Sequence, residues 1–299
     1  MREKNSLIIS KLLKNMSPHP QFVSVHGGHS GQFCDHAIDS LEEIILRYIE
    51  LGFSWVGVTE HTPAISSPLL DPGQVQAGLT PELLLATFTE YMKECRRLQE
   101  KYKDELTIFA AMEIETYSGY EQFVPFLLDR FQPDYIVGSV HFVDDISIDY
   151  SQKTYAQAVQ KLGGVDELYK RYFDLQYEMI ERFRPSVVGH FDLIRIFDAD
   201  YKTRLMKPAI LEKIRRNLQL IHELDLIMDL NLRSLVKGAD EPYISRPILK
   251  LAGEMGISVV PGDDSHGVQS VGGFMNTGIN LLEDLGFSTN WKKPQLYRY

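Results

Sequence analysis

Cysteine is nearly missing from this chain, with only Cys34 and Cys95 among 299 residues. A disulfide scaffold is therefore excluded, and a reducing compartment is the expectation. No run of 18 apolar residues occurs, so no transmembrane helix is expected. The opening stretch MREKNSLIISKLLKNMSPHP has amphipathic spacing. It lacks both a continuous apolar centre and a small-residue cleavage site, so it does not read as a signal peptide. These absences predict a cytoplasmic protein with no membrane partner. Positive charge is short as well: 31 Lys and Arg stand against 41 Asp and Glu, a formal net charge of −10. That argues against extended nucleic acid as a partner, because phosphate backbones need clustered cations. A small phosphorylated ligand needs only local positive charge and is not excluded.

What is present reads as an ordinary globular chain, 44% hydrophobic and 24% charged. No linker, repeat or low-complexity segment divides it, which predicts one domain over 1–299, with 1–20 as an N-terminal extension. Short β-branched runs predict strands at 22–26, 54–59, 106–115, 134–142, 186–191, 226–231 and 257–262. Apolar spacing near 3.6 predicts helices at 37–51, 81–102, 119–130, 154–183, 207–223 and 245–255. Thr80-Pro81 is a helix start signal, and Gly52 and Gly256 suit helix C-termini. Strands alternating with helices predict an α/β fold with parallel pairing through right-handed crossovers. The long segments 62–80 and 142–153 read as lid or binding loops.

Histidine is scarce, nine in all, yet seven fall in six segments at or just past predicted strand ends. These are SVHGGHSGQFCDH (24–36), VTEH (58–61), MEIE (112–115), GSVH (138–141), GHFD (189–192) and PGDDSH (261–266). Imidazole and carboxylate together bind borderline divalent metals. In a β/α barrel the site lies at the C-terminal strand ends, and groups from six strands meet only if the sheet closes or nearly closes. His26 and His29 are three apart, so regular pleating would point them to opposite faces. A Gly27-Gly28 bulge could re-aim them. His36 lies in the following loop. Cys34 beside it is either a soft ligand or, more in keeping with its type, a small buried residue. His61 follows the second strand, and Glu60 next to it could bind metal, orient a ligand or pair with a cation. Glu113 is the natural bridge between two metals, since a carboxylate can bridge and imidazole does not readily do so. Glu115, on the same strand face, could read a cationic group. His141 and His190 follow small-residue strands, and Asp192 could orient His190 or touch substrate. Asp264 and His266 complete the set, with Asp263 a turn or supporting residue. His19 and His222 have no partners nearby and are assigned no role.

These six segments, in this order, resemble the PHP (polymerase and histidinol phosphatase) family of metal-dependent phosphoesterases, most of all its monofunctional histidinol-phosphatases. The resemblance covers essentially the whole chain. It is carried by HSGQFCDHA (29–37), MEIETYSGYE (112–121), GSVHFV (138–143), VVGHFDLIR (187–195), EPYIS (241–245) and GDDSHG (262–267). It implies a distorted seven-stranded (β/α)7 TIM-like barrel of PHP type, with two to three divalent ions drawn from zinc, iron or manganese. His26, His29, Glu113 and Asp264 would hold the first ion. Glu113 would bridge to a second, held also by His141 and His190, and His36, His61 and His266 would hold the third. The family's opening motif is usually His-x-His, from which HGGH departs by one residue.

The implied reaction is phosphomonoester hydrolysis, with a hydroxide between metals attacking phosphorus in line. Glu113 and Asp264 would be the catalytic carboxylates, Glu113 as the bridge, with Asp264 or a metal-bound water serving the leaving alkoxide. Arg195 and Arg233 are the phosphate candidates. The implied substrate is L-histidinol phosphate, in histidine biosynthesis, with Glu115, Asp192 and Tyr117 facing its amino and imidazole groups. The alternative is a nucleotide, oligonucleotide or sugar phosphate. Amide hydrolysis is less suited, because no lysine ends a strand to bridge metals. A non-catalytic binding barrel gains only from the HGGH departure. Oligomeric state stays open.

Overall fold

Ten short, mostly buried strands shape the protein in a computed structural model that describes residues 20–299, leaving His19 and almost all of the expected extension outside. They are β1 (Val23–Ser24), β2 (Trp55–Val58), β3 (Thr107–Ala110), β4 (Met112–Ile114), β5 (Ile136–Gly138), β6 (Phe142–Val143), β7 (Ile146–Ser147), β8 (Val187–Val188), β9 (Ile227–Asn231) and β10 (Ser258–Gly262). Apart from the antiparallel β6–β7 hairpin, all pairing is parallel. The orders are β1-β2-β3 and β4-β5-β8-β9-β10. Ala111 alone separates β3 from β4, and the ladder to the β2 side continues past it. Ala111 N donates to Val58 O at 2.9 Å and Glu113 N to Glu60 O at 3.0 Å. At the other end, Val25 N donates to Pro261 O and Asp264 N to His26 O, both at 2.9 Å, joining β10 to β1.

Two apolar layers flank these strands. The inner one takes Val25 beside β1 and then one residue from each of six further strands: Trp55, Phe109, Val137, Val187, Ile227 and Val260. The outer one lies between strands and helices and contains most of the buried side chains. Parallel strands covered on both faces carry near-continuous apolar runs, which explains why these segments lack the alternation of a half-exposed sheet.

The helices form where the sequence supplies ends for them. Ser40 and Glu43 make a reciprocal capping box at the start of α1 (Leu41–Glu50). In the 62–80 segment a short helix, α2 (Pro72–Gln76), interrupts what was expected to be loop. Thr80 caps α3 (Pro81–Lys101) by accepting from Leu83 N, with Pro81 in the first turn. Tyr120–Phe131 forms α4. The run expected as one helix over 154–183 is two, α5 (Gln152–Leu162) and α6 (Val165–Phe183). Gly163 and Gly164 separate them at φ +85 and +145, a conformation that no helix can pass through. Then come α7 (Tyr201–Leu205), α8 (Pro208–Glu223), α9 (Arg233–Val236), α10 (Arg246–Glu254) and α11 (Met275–Asp284), the last not anticipated from spacing. The 142–153 segment, expected as loop, contains the β6–β7 hairpin, turned by Asp144 and Asp145 at positive φ. Among the described residues, no helix is long and apolar enough to cross a membrane.

Gly57 shows how closely the inner layer is packed. A Cβ there would fall 1.6 Å from Tyr135 Oη, which donates to Val25 O at 2.6 Å. Gly57→Ala should therefore destabilise the protein by roughly 1–3 kcal/mol, the usual range for overpacking. Adding Tyr135→Phe should restore part of the loss in urea melts. No change in midpoint for Gly57→Ala would count against this packing.

Candidate metal centre

The C-terminal strand ends gather the histidines, and the first problem is how one segment aims two of them inward. The chain bends at Val25 and His26, directly after β1. The bend turns His26 toward the side that His29 also faces, with ring centroids 6.1 Å apart. Gly27 lets the backbone press against β2: its N–H donates to Gly57 O at 2.8 Å, and a Cβ would come within 2.4 Å of that oxygen. Re-aiming therefore begins at the bend, one residue before the glycines. Both histidines are fully buried.

Glu113, on β4, is the centre. Its Oε1 lies 2.9 Å from His190 Nε2 and 3.5 Å from His141 Nε2. Its Oε2 lies 2.9 Å from His61 Nδ1 and 3.3 Å from His26 Nε2. Asp264 follows β10, held at φ +44 by its N–H bond to His26 O. Its Oδ1 is 3.2 Å from His29 Nε2 and 3.6 Å from His266 Nδ1. Glu115 orients two imidazoles, 2.7 Å from His141 Nδ1 and 3.4 Å from His61 Nδ1. Glu60 stands 3.4 Å from His29 Nδ1 and is fixed by the Ser30 N–H at 2.8 Å. His36 is half exposed, its ring 4.9 Å from that of His266. Cys34 is buried beside it, its thiol pushed up to about 12 by burial. Asp263 accepts from Ser24, Tyr48 and Gly272 N, tying the strand end to α1. His222 is exposed on α8.

The electrostatics follow from burying acids and imidazoles together. Burial opposes the charge on Glu113, yet the imidazoles of His26, His141 and His61 hold its carboxyl well below the ordinary range. Asp264 is lowered likewise by His26 and His29. Burial works against the imidazolium of His141, but Glu115 and Glu113 outweigh it and raise the ring to about 9. His266 is lowered by burial and by the neighbouring imidazole of His29. Several donor atoms have no hydrogen-bond partner although buried: His26 Nε2, both ring nitrogens of His29, His61 Nδ1 and Glu113 Oε2. Buried polar atoms are rarely left so. Three overlapping groups bring their ligand atoms within 4.8 Å of one another: His26, His29 and Asp264; His26, Glu113 and His190; His29, His61 and His266. Lone pairs converging from mixed nitrogen and oxygen donors fit divalent metal ions.

Above this floor lies a cavity of about 480 Å³. Of the residues expected from sequence, His36, His61, Glu115, Tyr117, His141, His190, Arg233, Asp264 and His266 line it. Both long segments also contribute, through Asp71 and Gln74 on one side and Ser147, Asp149 and Tyr150 on the other. Arg195 and Asp192 are not brought to the cavity wall. The Arg195 Nη2 donates to the carbonyls of Glu241 and Pro242 at 3.0 and 2.8 Å, and its guanidinium stacks 4.5 Å from the Tyr243 ring centre. Asp192 accepts from Ser245 N at 3.0 Å. Together they brace the 241–245 loop, so that Tyr243 rather than Arg195 meets the cavity. Sequence reasoning missed Asp229 and Asn231 on β9. Their signal was an acid and an amide inside the apolar run LIMDLN.

The proton balance gives a prediction for the metal-free protein. A histidine raised to about 9 from an ordinary 6.5, as His141 is, contributes stability that is full below 6.5 and lost as pH climbs through 9. Chelator-treated protein should thus melt at progressively lower temperature across that window. Divalent metal needs neutral imidazole, so its stabilisation should grow over the same window. Thermal melts with and without metal check this, and a flat profile for the stripped protein would contradict it.

Comparison with known proteins now bears on the site. A family model for the PHP domain matches residues 27–233. The chain is 35% identical over 271 residues to a probable histidinol-phosphatase of Schizosaccharomyces pombe, covering 89% of this chain and 88% of that one. It is 27% identical to the Saccharomyces cerevisiae histidinol-phosphatase, covering 83% and 84%. Among solved structures, a candidate histidinol phosphatase from Listeria monocytogenes superposes with a TM-score of 0.76 at 29% identity, over 85% of this chain and 99% of that one. The Lactococcus lactis histidinol phosphate phosphatase, solved with zinc, L-histidinol and phosphate, shares the fold at a TM-score of 0.66 and 17% identity, over 89% and 94%. A family match across most of the chain, on strands that converge their histidines upon one buried glutamate, means that this protein belongs to the PHP domain family.

Proposed function

We propose that this protein hydrolyses L-histidinol phosphate to L-histidinol and phosphate, a step of histidine biosynthesis. The observation that carries the reading is the polarity of the cavity. It adjoins the imidazole–carboxylate cluster around Glu113, with Arg233 and Lys237 in its lining, and three further acids, Asp35, Asp71 and Asp149, line it as well. Such a site suits a molecule with a phosphate at one end and a cation at the other. The names of the fungal relatives support the same substrate, as does the complex of the Lactococcus enzyme, which is alike in fold.

The fold proposed is a distorted seven-stranded β/α barrel, with β3 and β4 counted as one strand, supported by the hydrogen bonds between β10 and β1. The single domain would span 1–299, with 1–20 as an extension. Two buried free cysteines suit a reducing, cytoplasmic setting. Two to three divalent ions, zinc, iron or manganese, would be held by His26, His29, Glu113 and Asp264, by Glu113, His141 and His190, and by His36, His61 and His266. Bound there, they would supply Lewis acidity toward phosphoryl oxygen and a nucleophile from water at neutral pH.

The chain's own residues do the rest. Glu113 keeps its charge between the imidazole groups and so spaces them. Asp264, a carboxylate facing the cavity, can accept a proton and return it to the leaving alkoxide. Arg233 lines the cavity with its Nε unpartnered and can bind phosphate oxygens. Arg195 adds positive potential from behind Tyr243. Glu115, Tyr117, Asp71 and Asp149 face the cationic end, in place of Asp192. Burial and the nearby Asp149 push the Asp71 carboxyl up to about 6, and a bound ammonium would relieve that repulsion.

A substrate panel tests the reading: turnover should be highest with L-histidinol phosphate, ahead of nucleotides, oligonucleotides and sugar phosphates. Preference for any of those would overturn it. Glu113→Gln should reduce phosphatase activity to background while the protein stays folded. Asp71→Asn should raise KM for L-histidinol phosphate about tenfold, the equivalent of ~1.4 kcal/mol. It should affect p-nitrophenyl phosphate, which has no cationic end, far less.

A further inference from the structure

We propose that Asp229 and Asn231 of β9 are positioning residues: Asp229 fixes the ring of His26 and Asn231 fixes the carboxylate of Asp264, so that both present a free lone pair to the same ion. The inference rests on the reading above, in which His26 and Asp264 hold a metal.

The two residues are two apart on one strand and so share a face. Asp229 Oδ2 lies 2.9 Å from His26 Nδ1. A carboxylate only accepts, so Nδ1 carries a proton, and in the neutral ring that binds a metal the lone pair is then on Nε2. That Nε2 points at Glu113 Oε2, 3.3 Å away, and has no hydrogen-bond partner. The amide of Asn231 is likewise determined. Its Oδ1 accepts the Arg233 N–H at 3.0 Å, so the other terminal atom is the NH2 group. The two protons of that group go to Asp229 Oδ2 at 3.1 Å and to Asp264 Oδ2 at 3.0 Å. Asp264 Oδ1 is left facing His29 Nε2 at 3.2 Å. One strand thus orients a ligand that follows β1, through Asp229, and a ligand that follows β10, through Asn231, whose amide links the two.

The arrangement answers a difficulty posed by the HGGH spacing. His26 comes from HGGH, one residue longer than His-x-His, and lies in a bend, so strand pleating does not aim its ring. A carboxylate on the ring's far nitrogen does. Gly262 makes the room: a Cβ there would fall 2.1 Å from Asp229 Oδ1 and 2.9 Å from His26 Cβ. His26, Asp229 and Asn231 are all fully buried, so no water competes for these bonds. Carboxylates placed behind ligating imidazoles raise ligand basicity and fix the tautomer, and their loss typically costs ten- to hundredfold in metal affinity.

The test uses the full-length protein, stripped with chelator and titrated with Zn²⁺, with metal per chain read by elemental analysis and metal-free stability by urea melts. Asp229→Asn, which keeps the volume, should need about ten- to hundredfold more free Zn²⁺ to fill one site. At wild-type saturation it should lack about one ion per chain. Its kcat should recover in excess Zn²⁺ with KM unchanged, and its metal-free melt should stay near wild type. Asn231→Ala should shift the same titration. In the zinc-loaded wild type, long-range ¹H–¹⁵N spectra should show the His26 ring proton on Nδ1, the signal being assigned by its loss in His26→Gln. A proton on Nε2 instead would overturn the inference even if Asp229→Asn failed to fold. Equal zinc affinity in wild type and Asp229→Asn would overturn it too, and would leave the metal centre intact. A wild type that takes up no divalent metal would bring down both readings.

Discussion

Glu113 is buried with four imidazoles 2.9–3.5 Å from its two oxygens, and the rest of the site depends on that crowding. A carboxylate taken out of water alone would neutralise itself by taking a proton. Here it stays charged because His26, His141 and His61 surround it. Without a metal, those rings must share the few protons available, and several donor atoms are left with nothing to bond. Protons satisfy this set of groups poorly, whereas divalent cations can satisfy it well. The demand for such ions is therefore a property of the folded chain itself.

The strands make the crowding possible by dividing their length between two environments. Toward their N-terminal ends the inner side chains are apolar and large, among them Trp55, Phe109 and Tyr135. Past that plug the inner side chains become acids and imidazoles. Glycines mark the change, since Gly57 yields space to Tyr135 and Gly262 yields it to Asp229. The rigid packed layer below fixes the polar layer above, which a site on loops alone could not achieve. The longer connections bring Asp71 and Asp149 to the cavity lining.

Support from behind recurs around the centre. Asp229 backs His26, Glu60 backs His29, and Glu115 backs His141. Arg195 does comparable work at the wall, where its guanidinium sits between Tyr243 and Tyr201 and ties down the carbonyls of Glu241 and Pro242. A charge buried in this way holds shape, and Tyr243 rather than Arg195 lines the cavity.

The alternation of apolar runs, the strand ends at 26, 61, 113, 141, 190 and 264, and the rarity of histidine elsewhere were all legible in the linear chain. These are local signals: side-chain period, turn residues and residue type. The sequence alone therefore determined the α/β class and the composition of the candidate centre. It could not decide which way His26 turns, because a bend at Val25–His26 overrides the pleat. Nor could it place Arg195 behind Tyr243, or pair Asp229 with a histidine 203 positions away. The split of 154–183 at Gly163-Gly164 was visible as two glycines, but helical spacing on both sides masked it. Orientation and pairing across the interior arise only when strands distant in sequence pack side by side. There, distances of 3 Å are set by neighbours that no local pattern names, and this is what tertiary structure alone decided.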